Sequence, residues 1–262
     1  KMILKIILII IVISNFVTIF FLYKKNIKNY LYKSKIKKID TDGIHEIFNL
    51  KKISKNLKGP KKDVIVKSFS ITLNNNIVGM TSDHEAWIIA SLSKISKNIF
   101  EFGTCSGKTT YIMGLNSSDD TKITTLTLSP EEVKEISKKK EDNTISFRNI
   151  INESIYNKFL FSGEDVEKKI KVVFQNSLKF NHKEFKDKID LIFIDGGHTY
   201  SVVKNDSEKS FDMISKNGII LWHDYVPGKQ SAKDVVKYIH EISKNKKIYS
   251  IKGTTLAYFK NE

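Results

Sequence analysis

The sequence predicts an α/β fold: a doubly wound, mostly parallel sheet that ends in an antiparallel strand and is preceded by one N-terminal transmembrane helix. Three observations carry this. From Ser82 onward, short apolar runs alternate with amphipathic stretches, the pattern of strands joined by crossover helices. A glycine-bearing loop, Glu101 to Thr110, joins the first of these strands to the next helix. Ile3 to Tyr23 is a nearly unbroken apolar run, interrupted by Lys5, Ser14, Asn15 and Thr18.

Taken in order, residues 1–23 read as a transmembrane anchor, because about 20 residues at about 1.5 Å each cross a hydrocarbon core of roughly 30 Å. No small-residue cleavage site follows, since Phe20-Phe21-Leu22-Tyr23 is bulky and Lys24-Lys25 basic. Lys24, Lys25, Lys28, Lys33, Lys35, Lys37 and Lys38 follow the run, against Lys1 and Lys5 at its start. That asymmetry puts the rest of the chain in the cytoplasm, a single-pass arrangement. Residues 24–62 read as a lysine-rich juxtamembrane stalk and residues 63–262 as the globular domain. Val64-Ile65-Val66 and Phe69 to Leu73 are β-prone, with a turn at Asn74-Asn75-Asn76.

Ser82 with Glu85 forms a capping box, and Trp87, Ile88, Leu92 and Ile95 share one face of the helix it opens. Ile99–Phe102, Ile123–Leu128, Lys171–Phe174, Asp190–Ile194 and Ile219–Trp222 are the expected strands. Ser129, Pro130 and Glu132 predict a helix start. The helix carrying Val203, Ser207, Phe211 and Ile214 is expected to stop at Asn217-Gly218. A helix over Ser231–Lys244 and a closing strand pair, Ile248–Ile251 with Thr255–Phe259, complete the order. Residues 141–170, with Arg148, Tyr156, Phe159 and Phe161, are a longer connection that reads equally as a substrate lid, a partner surface or a plain surface excursion.

The charge narrows the partners. The chain of 262 residues carries a net +15, and its 44 basic residues include one arginine, Arg148. Residues 1–62 hold 15 lysines against three acids, a net of +12, which leaves +3 for the other 200 residues. Charge placed beside a membrane span and almost devoid of arginine does not indicate a nucleic-acid reader. The lone Cys105 excludes an internal disulfide and a cysteine-cluster zinc site.

In parallel α/β sheets ligands sit beyond the carboxyl ends of the strands. The glycine loop there admits two ligands. Gly103-x-x-x-Gly107-Lys108-Thr109 is one residue short of a phosphate loop, and Leu191 to Asp195 imitates the strand ending in an Mg²⁺-binding acid. A P-loop-like nucleotide hydrolase is therefore one reading, opposed by Glu101, which would repel phosphate. The other ligand is a cation-bearing cofactor, for which an acid at the strand end is favourable.

Several ordered stretches point to the second. Gly79-Met80-Thr81-Ser82 with Glu85-Ala86, the glycine loop, Ile194-Asp195-Gly196-Gly197-His198-Thr199-Tyr200, Asp206, Gly218 to Tyr225 and Gly253 to Ala257 together resemble the class I S-adenosylmethionine-dependent methyltransferases. The likeness, over residues 79–259, is to the subgroup with I-D-G-x-H-x-Y and H-D strand ends. It implies a Rossmann-like sheet, a methyltransferase domain over 63–262, and S-adenosylmethionine held by Glu101, Gly103, Thr104, Cys105, Gly107, Thr127, Asn176 and Ser177. Cys105 stands where many members have a glycine, and Thr127 where the family has the ribose-binding acid. That departure keeps a catalytically silent, methyltransferase-like module as a further alternative.

The resemblance also implies a reacting end. Asp195 and Asp224 would hold Mg²⁺, as matching acids do in relatives acting on sugar or polyketide hydroxyls. A metal-free version would use His198 or His223, with Asp195, as the catalytic base. The expected reaction is O-methylation of a saccharide or small-metabolite hydroxyl at the cytoplasmic membrane face. The expected partners are that small-molecule or glycan acceptor and the membrane, with no nucleic acid.

Overall fold

In chain order the elements are α1 (Met2–Leu31), β1 (Lys37–Ile39), β2 (Ile71–Leu73), β3 (Asn76–Val78), α2 (Asp83–Ser93), β4 (Asn98–Phe102), α3 (Lys108–Asn116) and β5 (Lys122–Thr127). There follow α4 (Thr144–Glu153), β6 (Ile170–Phe174), β7 (Ile189–Ile194), α5 (Tyr200–Met213), β8 (Ile214–Trp222), α6 (Lys233–Ile242), β9 (Tyr249–Ile251) and β10 (Ala257–Lys260). They belong to a computed structural model that describes residues 2–31, 33–49, 59–67, 71–73, 76–78 and 80–262. For residues 2–9, 25–31, 71–73 and 76–78 it describes the backbone alone.

Eight strands form one sheet in the order β1-β9-β10-β8-β7-β4-β5-β6. β4, β5, β6, β7 and β8 run parallel, and β10 is antiparallel to both β8 and β9. This is the expected mostly parallel sheet with its C-terminal antiparallel strand. Helices cover both faces, so the central strands are apolar on both sides. In β7, Ile189, Ile192 and Ile194 pack into one core layer, while Leu191 and Phe193 pack into the other. β4 and β7 are neighbours whose following helices leave on different courses, and the crevice at their carboxyl ends is where such sheets bind ligands.

The capping box at α2 forms as expected, with the Glu85 amide donating to Ser82 Oγ and the Ser82 amide to Glu85 Oε2. Other local expectations are corrected. Ser129 and Glu132 do make reciprocal contacts, but only a short 3-10 turn follows, Glu132–Glu135. Asn217-Gly218 does not stop α5. The helix ends at Met213, and Asn217 (φ 64) lies within β8, where the register with β7 shifts. Ile95 lies past the end of α2 and is 42% exposed. Val64 and Val66 pack against Ala86, Ala90 and Ile112 without forming a strand, and Asn74-Asn75 of the expected turn lies outside the described residues.

The largest correction concerns the stretch expected as a stalk. β1 pairs in parallel with β9 and extends the sheet edge. Ile36, Ile44, Ile47 and Phe48 are buried, Phe48 completely, with its ring 5.3 Å from that of Trp87. The Tyr258 hydroxyl donates to the Ile44 carbonyl at 2.9 Å. Burying such side chains stabilises by about 1.5–3 kcal/mol each, so residues 36–48 belong to the folded body. Residues 50–58 of the expected stalk lie outside the described residues.

Among the described residues no helix is long and apolar enough to cross a membrane. The transmembrane span expected over Ile3–Tyr23 includes residues 3–9, whose side chains lie outside the described ones. Within α1 the described apolar side chains from Ile10 to Tyr23 are all exposed, Phe16 by 74%.

Candidate active site

The site grows from the way the strand ends are stitched together. The Gly103 amide donates to the Leu126 carbonyl, the Asp195 amide to Phe102, the Gln175 amide to Thr127, and the His223 amide to Ile194. These bonds carry the ladder one residue past each strand and bring five carboxyl ends into register. A cavity of about 300 Å³ opens there, at the lower end of the range for small-molecule sites. The connection expected over 141–170 supplies part of its wall, through Phe147, Ile150, Glu153 and Ser154 of α4 and its end. Arg148 is exposed and takes no part.

Of the residues expected to hold a cofactor, Gly103, Cys105, Thr127, Asn176 and Ser177 line this cavity. Glu101, Thr104 and Gly107 do not; they build the loop from behind. Gly107 (φ 81) precedes α3, and a Cβ there would come within 2.8 Å of Phe159 and Phe161. Thr104 Oγ1 bonds Thr125 Oγ1 at 2.6 Å. Lys108, which imitates a phosphate-loop lysine, turns inward and donates to the Thr81 carbonyl at 3.0 Å. Cys105 (φ 46) is a non-glycine residue in the left-handed region, and burial pushes its thiol up to about 12, which disfavours the thiolate.

Glu101 is fully buried. It accepts from the Thr110 hydroxyl and, at 2.6 Å, from Thr125, while its Oε1 has no partner. Burial pushes its carboxyl up to about 8, against the smaller opposing effect of the two hydroxyls. An acid with a raised native pKa binds more protons folded than unfolded. Its contribution is full below the unfolded value of 4.5 and is lost as pH rises through about 8. Glu101→Gln is therefore expected to flatten the decline in melting temperature between pH 5 and 9. Equal slopes for the two proteins would refute the assignment.

At the other end of the cavity the expected catalytic residues do meet. His198 Nε2 lies 3.2 Å from Asp224 Oδ2 and 3.5 Å from Asp195 Oδ1. His223 Nδ1 lies 3.1 Å from Asp195 Oδ1, and its Nε2 lies 3.6 Å from Glu85 Oε2. Burial lowers the His198 pKa, but the hydrogen bond to Asp195 and the charges of Glu153, Asp224 and Asp195 push it up to about 9. His223 is likewise held well above its ordinary value, burial being outweighed by Asp195 and Glu85. Burial opposes ionisation of Asp195, yet the two imidazoles bring its carboxyl down to about 2. Asp224 reaches the cluster from a left-handed backbone (φ 56), a conformation that aspartate tolerates and that concentrates at working sites. One ligand atom from each of Asp195, His198 and Asp224 lies within 4.8 Å of the others.

Three acids of the site escape sequence reasoning. Glu85 was legible as a cap but not as the partner of His223. Glu153 lines the cavity from α4, and burial pushes it up to about 7. Glu132 lines the cavity beside Thr127. The one signal for it was the reciprocal Ser129–Glu132 spacing, which placed the residue at the end of β5.

A doubly wound sheet whose glycine loop, acid-rich cavity and acid–imidazole cluster share one edge has the architecture of a cofactor-binding α/β enzyme. Residues 100–225, just under half of the chain, match the Methyltransf_24 model, a methyltransferase domain. Among solved structures the fold is similar to that of a putative caffeoyl-CoA O-methyltransferase from Staphylococcus aureus, at 17% identity over 70% of this chain and 85% of that one, with a TM-score of 0.51. It is also similar to the S-adenosylhomocysteine-bound methyltransferase PaMTH1 from Podospora anserina, at 16% identity over 70% and 80% of the two chains, with a TM-score of 0.50. A putative O-methyltransferase from Klebsiella pneumoniae shares 14% identity over 71% and 83%, with a TM-score of 0.50. No curated protein matches the chain.

Proposed function

We propose that the protein transfers a methyl group from S-adenosylmethionine to a hydroxyl oxygen of a saccharide or small metabolite, and that its N-terminal helix holds it at the cytoplasmic face of a membrane. One observation carries the transfer reading. The cavity is lined by six acids, Glu132, Glu135, Asp142, Glu153, Asp195 and Asp206, against two lysines, Lys139 and Lys179. That balance suits a ligand bearing ammonium and sulfonium charges and repels a triphosphate.

S-adenosylmethionine supplies an electrophilic methyl on a positively charged sulfur. Gly103 and Cys105 of the loop, with Thr127, Asn176 and Ser177 of the two next strand ends, would hold it. Asp195, the member of the cluster that lines the cavity, would accept the hydrogen bond of the acceptor hydroxyl. His198 Nε2, in contact with both Asp195 and Asp224, would take up the proton. His223, with Nδ1 3.1 Å from Asp195 and Nε2 facing Glu85 at 3.6 Å, would keep the Asp195 carboxylate in place and charged. Mg²⁺ fits these donors poorly. It takes oxygen ligands in octahedral geometry, whereas an imidazole is one of the three grouped donors and Asp195 and Asp224 are already paired with imidazoles. The proton transfer therefore runs through side chains alone.

Calorimetric titration with S-adenosylhomocysteine tests the reading directly. Binding is expected for the wild type, with His198→Asn binding equally well while losing turnover by about 10²–10⁴-fold. Because its neighbours hold His198 near 9, turnover is expected to rise from pH 7 toward pH 9. Absence of binding at millimolar ligand would leave the silent module as the better account, and binding of ATP alone would reject both.

The membrane reading rests on the apolar run Ile3–Tyr23, the lysines that follow it, and the exposed side chains of α1. Recovery of the intact chain in the soluble fraction after cell lysis would count against it.

A further inference from the structure

We propose that Glu132 is the residue that grips the ribose hydroxyls of the cofactor, standing in for the acid missing at Thr127; the inference rests on the cavity being the S-adenosylmethionine site. A vicinal diol presents two O–H donors, and a carboxylate accepts both in a paired contact that a single hydroxyl cannot reproduce. Thr127 is 8% exposed and offers one hydroxyl at the end of β5.

Glu132 begins the 3-10 turn five residues further on and points back into the cavity between the ends of β5 and β6. Its position is fixed from both sides. Oε1 accepts from the Asn176 amide at 3.2 Å and Oε2 from the Ser129 amide at 3.4 Å. Each oxygen therefore has one protein donor, at the long end of the hydrogen-bond range, and keeps acceptor capacity on the cavity side. No ion pair to Glu132 occurs among the described residues. The neighbouring polar group is committed elsewhere: Asn176 Oδ1 accepts from the Leu178 amide at 2.9 Å. Glu132 is placed at the end of β5 by its neighbours: the Asn176 amide that it accepts from follows Gln175, whose own amide donates to the Thr127 carbonyl.

The experiment compares S-adenosylhomocysteine with its 2′-deoxy analogue by calorimetry on the full chain in detergent. The wild type is expected to prefer the ribose form at least tenfold. Glu132→Gln is expected to bind S-adenosylhomocysteine at least tenfold more weakly and to lose most of that preference. A purely structural role in the turn would weaken both ligands together and leave the preference intact, which would overturn the proposal. So would wild-type affinity in Glu132→Gln. Should that variant fail to fold, Glu132→Asp keeps the charge but withdraws it by one methylene. It is expected to lower the preference for the ribose form, and an unchanged preference would again overturn the proposal. Failure of the wild type to bind S-adenosylhomocysteine at all would instead overturn the cofactor reading, and this inference with it.

Discussion

Gly103→Ala is expected to abolish S-adenosylhomocysteine binding and to destabilise the fold by more than about 3 kcal/mol, as read by calorimetric titration and chemical denaturation. The reason is local and steric. A Cβ at this position would lie 2.2 Å from the Asp195 carbonyl oxygen and 2.6 Å from both Asp195 C and Gly196 Cα. Those are backbone atoms and cannot rotate away. The residue also sits at φ +95, where an L side chain is itself unfavourable by about 1–2 kcal/mol. The only relief is to part the ends of β4 and β7, which breaks the 2.9 Å bond from the Asp195 amide to Phe102. Asp195 would move with it, carrying away the common partner of His198 and His223. One methyl group thus damages the cofactor wall and the reacting end together. A variant with wild-type affinity and melting behaviour would show that the strand ends are looser than this geometry requires.

Glu85→Ala is expected to cost about 3–5 kcal/mol, the range for removing one partner of a buried ion pair. Glu85 is 3% exposed and its carboxylate is fully engaged. Oε1 accepts from the Thr255 amide at 2.6 Å and the Thr255 hydroxyl at 2.8 Å, and Oε2 accepts from the Ser82 amide and hydroxyl. Although burial opposes ionisation, His223 and these donors hold Glu85 well below the usual carboxylate range. Truncation strands a buried imidazolium and two amide donors at once. Replacing His223 by glutamine in the Glu85→Ala background removes the stranded charge, so the double variant is expected to be more stable than the sum of the single losses predicts. Strict additivity in urea denaturation would indicate that the two side chains do not act on one another.

These two positions also show what a linear chain discloses. Gly103 was legible because its loop joins a strand to a helix and its neighbours repeat a known spacing. The strand ends were legible because Asp190–Ile194 and Ile219–Trp222 are continuous apolar runs broken by polar residues. Glu85 was legible only as a cap for its own helix. Its bonds to Thr255 and its charge contact with His223 join residues 170 and 138 positions apart, and nothing in the periodicity near Ser82 encodes them. Glu132 escaped for the same reason: its anchor, the Asn176 amide, lies 44 residues away. Residues 36–48 were hidden by their surroundings. Lys33, Lys35, Lys37 and Lys38 give the stretch a solvated appearance, although Ile36, Ile44, Ile47 and Phe48 are spaced to bury themselves once β9 offers an edge. The turn after Ser129 marks the opposite case, in which correct capping chemistry opened only a 3-10 turn.

The parallel pairing of β1 with β9 also sets a working distance. Only residues 32–36 separate the last residue of α1, Leu31, from the first of β1, Lys37. Five residues span at most about 18 Å when fully extended. Were α1 held in a bilayer as proposed, with Tyr23 at its surface, the eight helical residues 24–31 would add about 12 Å, and the sheet edge would be leashed within about 30 Å of the lipid. The cavity would then stay near that surface, and an acceptor itself carried at the membrane would meet it at a far higher local concentration than a dissolved one.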